Sequence, residues 1–332
     1  MVGRKRLRLT TFNSLNIYGL LGAVCIFFAY GQSISFDFVN WSDDVRILNN
    51  TLFTQLESKG ILNALVELLS SYTTAEHAPL TFISYALDMQ FFGINKPWAW
   101  HIQNLALHIL SSILVLKIAK KIGLKNIYCL LLMLLFALHP MKVESVAWVS
   151  QRGNLLFSCF YLAAILAYLK LDKNTLLHIT RTKSVYVLFF AALLYKIQAI
   201  TLPISLLCFD YLRKKSIDKS SLKDKIPMLI ISAAFGLTGL LFITNNEVIV
   251  ASEEPFSIFE RLNLVTYAYL SFFMKFFIPG ELSTIYLIPT KLSLSYVLSS
   301  LVMVSGNVSL YASPKKIYNL GLWSFIFHNT HT

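Results

Sequence analysis

The sequence predicts an all-α protein that crosses a membrane several times. Of its 332 residues, 56% are hydrophobic and only 14% are charged, whereas soluble proteins carry about 25% charged residues. The mean hydropathy is +0.61, and apolar runs approaching the ~20 residues that a helix needs to cross a bilayer recur along the chain. Lipid offers a peptide backbone no hydrogen-bond partners, so these runs must form helices. We predict a bundle of about eight or nine transmembrane helices with a long first outer loop.

The predicted spans follow the apolar runs in chain order. They are 13–30, 98–118, 126–138 with its flanks, 153–169, 184–212, 226–243 and 292–311, with a weaker one at 317–327. The run 184–212 is long enough for two short spans. The first run follows basic residues, as a signal peptide does, but it is long and lacks a clean cleavage pattern, so it is predicted to stay as a span.

The positions of the charges predict the orientation. Basic residues concentrate in four segments: 1–9, 117–125, 170–183 and 213–225. Positively charged loops stay on the cytoplasmic side, so the N-terminus is predicted to be cytoplasmic, with outer loops at 31–97 and 244–291. The segment 259–278 is apolar enough to cross. A crossing there would place Lys315 and Lys316 outside, so a re-entrant helix or one lying on the outer surface is expected.

Several classes of function are disfavoured. The net charge of +12 is divided among loops and is not gathered on one face, as nucleic-acid binding requires. GxGxxG and GxxxxGK[ST] nucleotide loops are absent. All four cysteines fall in apolar runs without paired spacing, so neither a disulfide framework nor a metal site is predicted. The chain 1–332 is interpreted as a single transmembrane domain.

Two adjacent carboxylates, Asp43 and Asp44, stand in the segment WSDDVRILNN of the first outer loop. Such a pair can form a solvated turn or cap a helix. It can also carry chemistry, because one carboxylate can take a proton from a hydroxyl nucleophile while the other positions the donor. The pair allows a divalent cation without requiring one.

A second set of polar residues lies at the outer ends of two predicted spans. His101, Asn104 and His108 fall at i, i+3 and i+7, which places them on one face of a helix. This stripe either packs the bundle or marks a functional site, and a metal bound by the two histidines is a weaker reading.

Pro140 ends the third span, and His139, Glu144 and Arg152 lie around this break. A broken helix with ionisable residues is tolerated in a membrane where it lines a cavity. Lys196 lies inside the apolar stretch 184–212, where an unpaired cation costs about 2.5 kcal/mol or more. Either a lipid phosphate or an acidic side chain from another helix would be its partner.

Four segments carry a family resemblance. They are WSDDVRILNN, HAPLTFISYALDMQFFGINKPWAWHIQNLALHIL, LLFALHPMKVESVAWVSQRGNLL and YKIQAITLPISLLCFDY. In this order and spacing they resemble the membrane half of bacterial membrane proteins with tetratricopeptide repeats. These in turn are similar to the eukaryotic transmembrane and tetratricopeptide-repeat O-mannosyltransferases. The resemblance extends over residues 35–325.

The resemblance implies a glycosyltransferase with the GT-C fold in a bacterial cytoplasmic membrane. Such an enzyme takes a sugar from a polyprenyl-phosphate carrier and transfers it to a protein or glycan acceptor outside the cytoplasm. Asp43 or Asp44 would then be the catalytic base, and the leaving phosphate would be stabilised by cations. The remaining residues that would line the substrate and lipid-phosphate site are His77, His101, Asn104, His139, Glu144, Arg152 and Lys196.

The chain departs from the pattern of this family in two places. Relatives continue into further spans and tetratricopeptide repeats, whereas this sequence ends at FIFHNTHT, so a truncated member is expected. Relatives also tend to carry Arg-Lys-Asp or Arg-Ala-Asp where this chain has Gln151-Arg152-Gly153-Asn154. An inactive membrane scaffold and a transporter of lipid-linked sugar are therefore the alternative functions; a transporter would favour pseudo-symmetric halves.

Overall fold

A computed structural model describes residues 14–50, 53, 78–171, 178–214, 219–245, 256–280, 282–283, 286 and 294–301. The chain divides into two compact units, Met1–Ile243 and Thr244–Thr332. Within the described residues the regular structure is entirely helical, without a strand, which confirms the predicted all-α class.

The described residues contain eleven α-helices, which take their numbers from chain order. They are α1 Ser14–Tyr30, α2 Pro79–Phe92, α3 Pro97–Lys121, α4 Asn126–Leu138, α5 Val143–Ala147, α6 Arg152–Leu169, α7 His178–Tyr195, α8 Leu202–Lys214, α9 Lys219–Lys223, α10 Ile226–Asn245 and α11 Ile258–Phe277. Short 3-10 turns occupy Gly31–Ser35, Pro140–Lys142, Val149–Gln151 and Ile197–Thr201, and a π-helical turn occupies Asp44–Leu48.

Among the residues that the structure describes, four helical stretches are long and apolar enough to cross a membrane. They are Ser14–Ser35, Pro97–Lys121, Val149–Leu169 and Ser221–Leu241. The pair Asn126–Leu138 and Pro140–Ala147, bent by 57°, forms a fifth if it is one broken span. The part of the chain that the structure describes thus has the composition of a multi-pass membrane protein. The total of eight or nine spans stays a prediction, since 317–327 and most of 292–311 lie outside the described residues.

Helix α3 lies at the centre of the first unit, where it contacts α1, α4 and α6, and α6 in turn contacts α7. Helices α1 and α4 approach closely at Gly22, because a Cβ atom there would lie 2.7 Å from the sulfur of Met133. Small residues allow such close contact between helices in membranes. His108 is buried in this region, and its Nε2 lies 3.0 Å from the Ala137 carbonyl oxygen, which also accepts the Tyr30 hydroxyl. At His108, therefore, the polar stripe of α3 packs the bundle.

Two breaks in the helices match features of the sequence. The chain turns at Pro140 as predicted, and His139 caps the following turn because its Nδ1 accepts the Met141 N–H at 3.2 Å. The apolar stretch 184–212 divides into α7 and α8 at Lys196, which has an extended backbone. At both breaks, backbone N–H and C=O groups lose their helical hydrogen bonds, and the surrounding helices can supply new partners.

A buried ion pair joins α6, α8 and the turn before α10, at the end of α6 that is remote from Arg152. Lys225 Nζ donates to Asp210 at 2.6 Å and to the Tyr168 hydroxyl at 2.6 Å, and this hydroxyl donates to the same carboxylate at 2.7 Å. All three charged or polar groups have a partner, which is the condition for burying charges at moderate cost.

The second unit contains α11 and a helical segment at 294–301. The helix α11 begins with a capping box between Ser257 and Glu260, and its buried Asn263 accepts a hydrogen bond of 2.5 Å from Ser300. Helix α11 is not among the stretches that are apolar enough to cross a membrane. Its re-entrant or surface position stays a prediction.

Candidate functional site

The carboxylate of Asp43 is completely buried and holds the first loop against the start of α6. Its Oδ1 accepts the N–H of Ser150 at 2.9 Å and its Oδ2 accepts the N–H of Val39 at 3.0 Å. The hydroxyls of Ser42 and Ser150 lie 2.8 Å apart and add a second contact. The sequence does not place these segments together, since more than a hundred residues separate them.

Asp44 differs from its neighbour in exposure and partners. It begins the π-helical turn Asp44–Leu48 and is only partly buried. Its Oδ1 accepts the adjacent N–H of Val45 at 2.8 Å, which is a local turn contact. The two carboxylates are therefore not equivalent: one is enclosed by backbone donors and the other is reachable from solvent.

Arg152 lies at the centre of a closed network in which its side chain is 1% exposed. It forms an ion pair with Asp88, and its Nε donates to Asn104 Oδ1 at 3.0 Å. Its Nη2 donates to the Trp100 carbonyl at 3.2 Å, and the guanidinium lies over the Tyr85 ring, 5.3 Å from its centroid. Such a network, with each charged group paired, fixes the geometry of the helices that carry it.

His101 and Asn104 lie beside this network on the same face of α3. The Nδ2 of Asn104 donates to the Trp148 carbonyl at 3.1 Å, so its amide bridges Arg152 and the turn before α6. His101 is 1% exposed, and its imidazole lies within reach of the Asp37 backbone. Asp43 and Arg152 are close enough for their charges to act on this imidazole.

Lys196 contacts the other end of the segment 150–154. It is partly buried at the break between α7 and the following turn, and its ammonium donates to Asn154 Oδ1. The approach is close: a Cβ atom on Gly153 would lie 3.1 Å from the hydroxyl of Thr81, which itself contacts the Tyr195 carbonyl at 3.5 Å. The helix ends that carry Thr81, Asn154 and Lys196 therefore converge.

The expected site residues fall into three groups. The first group gathers around the segment 150–154. It comprises Asp43, Asn104 and Arg152, with Lys196 attached through Asn154 and His101 next to them. His139 caps a turn, whereas Glu144 is exposed in the first turn of α5 and its carboxylate forms no hydrogen bond or ion pair with a described residue. His77 lies outside the described residues. No cluster of His, Cys, Asp or Glu that could hold a metal ion was found among the described residues.

The sequence reasoning missed Asp88, Gln103 and Asn154. Asp88 is 4% exposed, and besides Arg152 it accepts a hydrogen bond of 2.6 Å from Gln103 Nε2. A signal was available, because a carboxylate inside an apolar helix needs a cationic partner. Which cation pairs with Asp88, Arg152 or Lys196, depends on how α2 packs against α6.

The segment 150–154 organises this end of the first unit. Its Ser150 N–H binds Asp43, its arginine binds Asp88 and Asn104, and its asparagine binds Lys196. The five residues are separated by four helical steps, which rise only about 6–8 Å in an α-helix or 3-10 helix, so these groups lie close together. We call the segment 150–154 and these partners the α6 junction.

The fold and the α6 junction define a helical multi-pass membrane protein with paired acidic and basic groups at one end of its bundle. The chain is similar to the protein O-mannosyl-transferases TMTC over part of its length, which confirms the predicted family resemblance. It is 37% identical to TMTC3 of Homo sapiens over 92 residues, 28% of this chain and 10% of that protein. It is 32% identical to Tmtc2 of Drosophila melanogaster over 156 residues, 44% of this chain and 16% of that protein.

A longer match links the chain to TMTC4 of Mus musculus, with 28% identity over 179 residues, 48% of this chain and 23% of that protein. The chain thus matches between 10% and 23% of the length of these relatives. No family model matches the chain. No solved structure matches it either.

Proposed function

We propose that this protein transfers a hexose, mannose in the first instance, from a polyprenyl-phosphate carrier to a hydroxyl group of a protein or glycan. The observation that carries the proposal is the contact of Asp43 with Ser150, because it fixes Asp44 at the α6 junction, which also binds Lys196. The similarity to O-mannosyl-transferases supports the reaction class. The proposal includes an outer-side site, a cytoplasmic N-terminus, the GT-C fold and a bacterial cytoplasmic membrane.

Asp44 is the proposed base. A base must reach the acceptor hydroxyl, and Asp44 is the carboxylate of the pair that is open to solvent. Asp43 already accepts two backbone N–H groups and is fully buried. Asp43 is therefore a positioning residue, which holds the loop that carries Asp44.

Lys196 is the proposed ligand of the carrier phosphate. It is a partly exposed cation at the break between α7 and the following turn, and one of its contacts is to Asn154 at the start of α6. Arg152, by contrast, is enclosed by Asp88, Asn104 and two aromatic rings. We assign it the role of positioning α6 and hence Asn154, rather than direct contact with phosphate.

The reaction that these roles support is a single displacement. The acceptor oxygen gives its proton to Asp44 and forms a bond to the anomeric carbon of the sugar. The bond between this carbon and the phosphate oxygen breaks, and its electron pair leaves with the polyprenyl phosphate, which Lys196 stabilises electrostatically. One displacement without a covalent intermediate inverts the anomeric configuration.

Radiolabelled polyprenyl-phosphate mannose tests the proposal on purified protein in lipid vesicles supplied with an envelope-protein extract. We expect label on protein or glycan with the wild type and none with Asp44→Asn. The matched control is Asp224→Asn, an exposed carboxylate in the turn before α10. Equal labelling by wild type and Asp44→Asn would refute the base. Movement of intact carrier across the membrane, without transfer, would identify a transporter, and the absence of both activities an inactive scaffold.

A further inference from the structure

Lys142 carries a positive charge at the bend between two apolar helices. It ends the 3-10 turn Pro140–Lys142, where the helix pair Asn126–Leu138 and Pro140–Ala147 is bent by 57°. Its side chain is partly buried, and its ammonium lies over the ring of Phe136, 4.8 Å from the centroid. The ammonium forms no hydrogen bond or ion pair with a described residue. A cation without a counter-ion in such a position is costly and marks a functional contact by default.

Two other cations of the first unit are neutralised within the protein. Arg152 and Lys225 are buried, and each forms an ion pair with an aspartate. Glu144 is the acidic residue closest to Lys142 in the sequence, but it is exposed in the first turn of α5 and pairs with no described residue. The charge of Lys142 is therefore open to an anion that the described residues do not supply.

The aromatic ring beneath the ammonium is fixed by its own neighbours. Phe136 stacks on His108 with a centroid distance of 6.0 Å and an interplanar angle of 25°. The His108 ring in turn lies 3.0 Å through its Nε2 from the Ala137 carbonyl oxygen and packs edge-on against Tyr30. A ring attracts a cation without accepting a conventional hydrogen bond. The three N–H donors of the ammonium thus stay available for an oxyanion.

Exposed apolar side chains adjoin this charge along the chain. Leu135 precedes Phe136, Leu138 ends α4, and Val143 follows Lys142; all three are exposed. In a protein of this class an exposed leucine or valine on such a helix faces lipid. A lysine beside a lipid-facing surface extends its ammonium to the level of the headgroups, where it attracts phosphate. Apolar surface and charge together fit a ligand with acyl chains and one phosphate.

We propose that Lys142 binds the phosphate of a membrane phospholipid whose acyl chains lie against Leu135, Leu138 and Val143. The bound lipid neutralises the charge at the bend between α4 and α5 and holds this bend at the membrane surface. The site uses neither Asp44 nor Lys196, so it goes beyond the proposed sugar transfer and does not depend on it.

Three soluble probes separate the phosphate from the acyl chains. Dioctanoyl phosphatidylglycerol carries both, dioctanoylglycerol lacks the phosphate, and inorganic phosphate lacks the chains; their dissociation constants are measured on the purified full chain in detergent. For the wild type we expect phosphatidylglycerol to bind at least about tenfold more tightly than either other probe, which corresponds to 1.4 kcal/mol. For Lys142→Gln we expect phosphatidylglycerol and dioctanoylglycerol to bind equally.

Three further variants test whether the effect is specific. Lys142→Arg keeps the charge and should keep the preference for phosphatidylglycerol. Phe136→Leu removes the ring beneath the ammonium and should reduce the preference about two- to fivefold. The matched control is Lys117→Gln, which removes an equal charge from an exposed position of α3 and should leave the preference unchanged.

Four outcomes would overturn the lipid site. The wild type would bind the two lipid probes equally, or Lys142→Gln would keep the full preference for phosphatidylglycerol. Lys117→Gln would lose as much of the preference as Lys142→Gln, which would indicate attraction by net charge alone. Finally, a short-chain prenyl phosphate would bind more tightly than phosphatidylglycerol and lose this affinity in Lys142→Gln, which would assign Lys142 to the sugar carrier. None of the first three outcomes bears on the transfer assay with Asp44→Asn.

Discussion

The Oδ1 atom of Asp43 accepts the backbone N–H of Ser150 at 2.9 Å, although 107 residues separate the two along the chain. This contact closes the first loop onto the segment that begins α6. It converts one member of an acidic pair into a structural group and leaves its neighbour Asp44 accessible. The two adjacent carboxylates look equivalent in the sequence, but the folded backbone gives Asp43 and Asp44 different surroundings.

The two aspartates should respond differently to amidation. Asp43→Asn places an NH2 group opposite a backbone N–H, so we expect it to lower the free energy of unfolding by about 1–3 kcal/mol. Asp44→Asn should leave stability unchanged and abolish sugar transfer. Thermal unfolding in detergent, measured beside the transfer assay, distinguishes the two. If Asp43→Asn is stable but does not transfer sugar, and Asp44→Asn is active, then Asp43 is the base and Asp44 is not.

The ion pair between Asp88 and Arg152 should be essential for the first unit. Asp88→Asn leaves a buried guanidinium without its counter-ion, which costs about 3–5 kcal/mol. The double variant Asp88→Asn/Arg152→Gln removes both charges and should be more stable than Asp88→Asn alone. Denaturant unfolding of the single and double variants gives the coupling between the residues. Additive losses would show that the two side chains do not interact.

Gly153 should not tolerate a side chain. Its added Cβ would lie 3.1 Å from Thr81 Oγ1 and 3.4 Å from Thr81 Cγ2, and overpacking of this kind costs about 1–3 kcal/mol. Thr81→Ala removes both atoms, so the double variant Thr81→Ala/Gly153→Ala should recover stability. Gly236→Ala is the control, because nothing lies within 4 Å of its Cβ position. An equal melting temperature for Gly153→Ala and wild type would contradict the close approach of α2 and α6.

The cluster of Tyr168, Asp210 and Lys225 should affect stability but not catalysis. Lys225→Met leaves Asp210 buried without a cation and should destabilise by about 3–5 kcal/mol. Tyr168→Phe keeps the ion pair and should cost about 1 kcal/mol. Below the unfolding temperature, the transfer rate per folded molecule should match that of the wild type for both variants. A tenfold slower Tyr168→Phe enzyme of normal stability would connect this cluster to the reaction.

Local signals predicted much of the fold and part of the site. Apolar runs define the helices, and Pro140 ends α4 because a proline removes a backbone donor and clashes with the preceding turn. The face shared by His101 and Asn104 follows from helical spacing. The same spacing includes His108, whose contact with the Ala137 carbonyl is one of packing.

Long-range partners could not be predicted. Arg152 has an acidic partner 64 residues away in α2, and Asn154 contacts Lys196 across 42 residues. Each pairing depends on how the helices are rotated and shifted against one another, which hydrophobic periodicity leaves undefined. The difference between Asp43 and Asp44 is likewise set by backbone donors of distant segments.

Cross-linking tests most directly whether the first loop docks on the turn before α6. The hydroxyls of Ser42 and Ser150 lie 2.8 Å apart, so Ser42→Cys/Ser150→Cys should form an intramolecular disulfide under mild oxidation, with the exposed Cys25 and Cys208 first replaced by serine. The control pair, Ser42→Cys/Ser205→Cys, carries its second thiol on α8. We predict the disulfide in peptides of the first pair alone. Absence of that disulfide, or equal yields from both pairs, would contradict the docking on which the site depends.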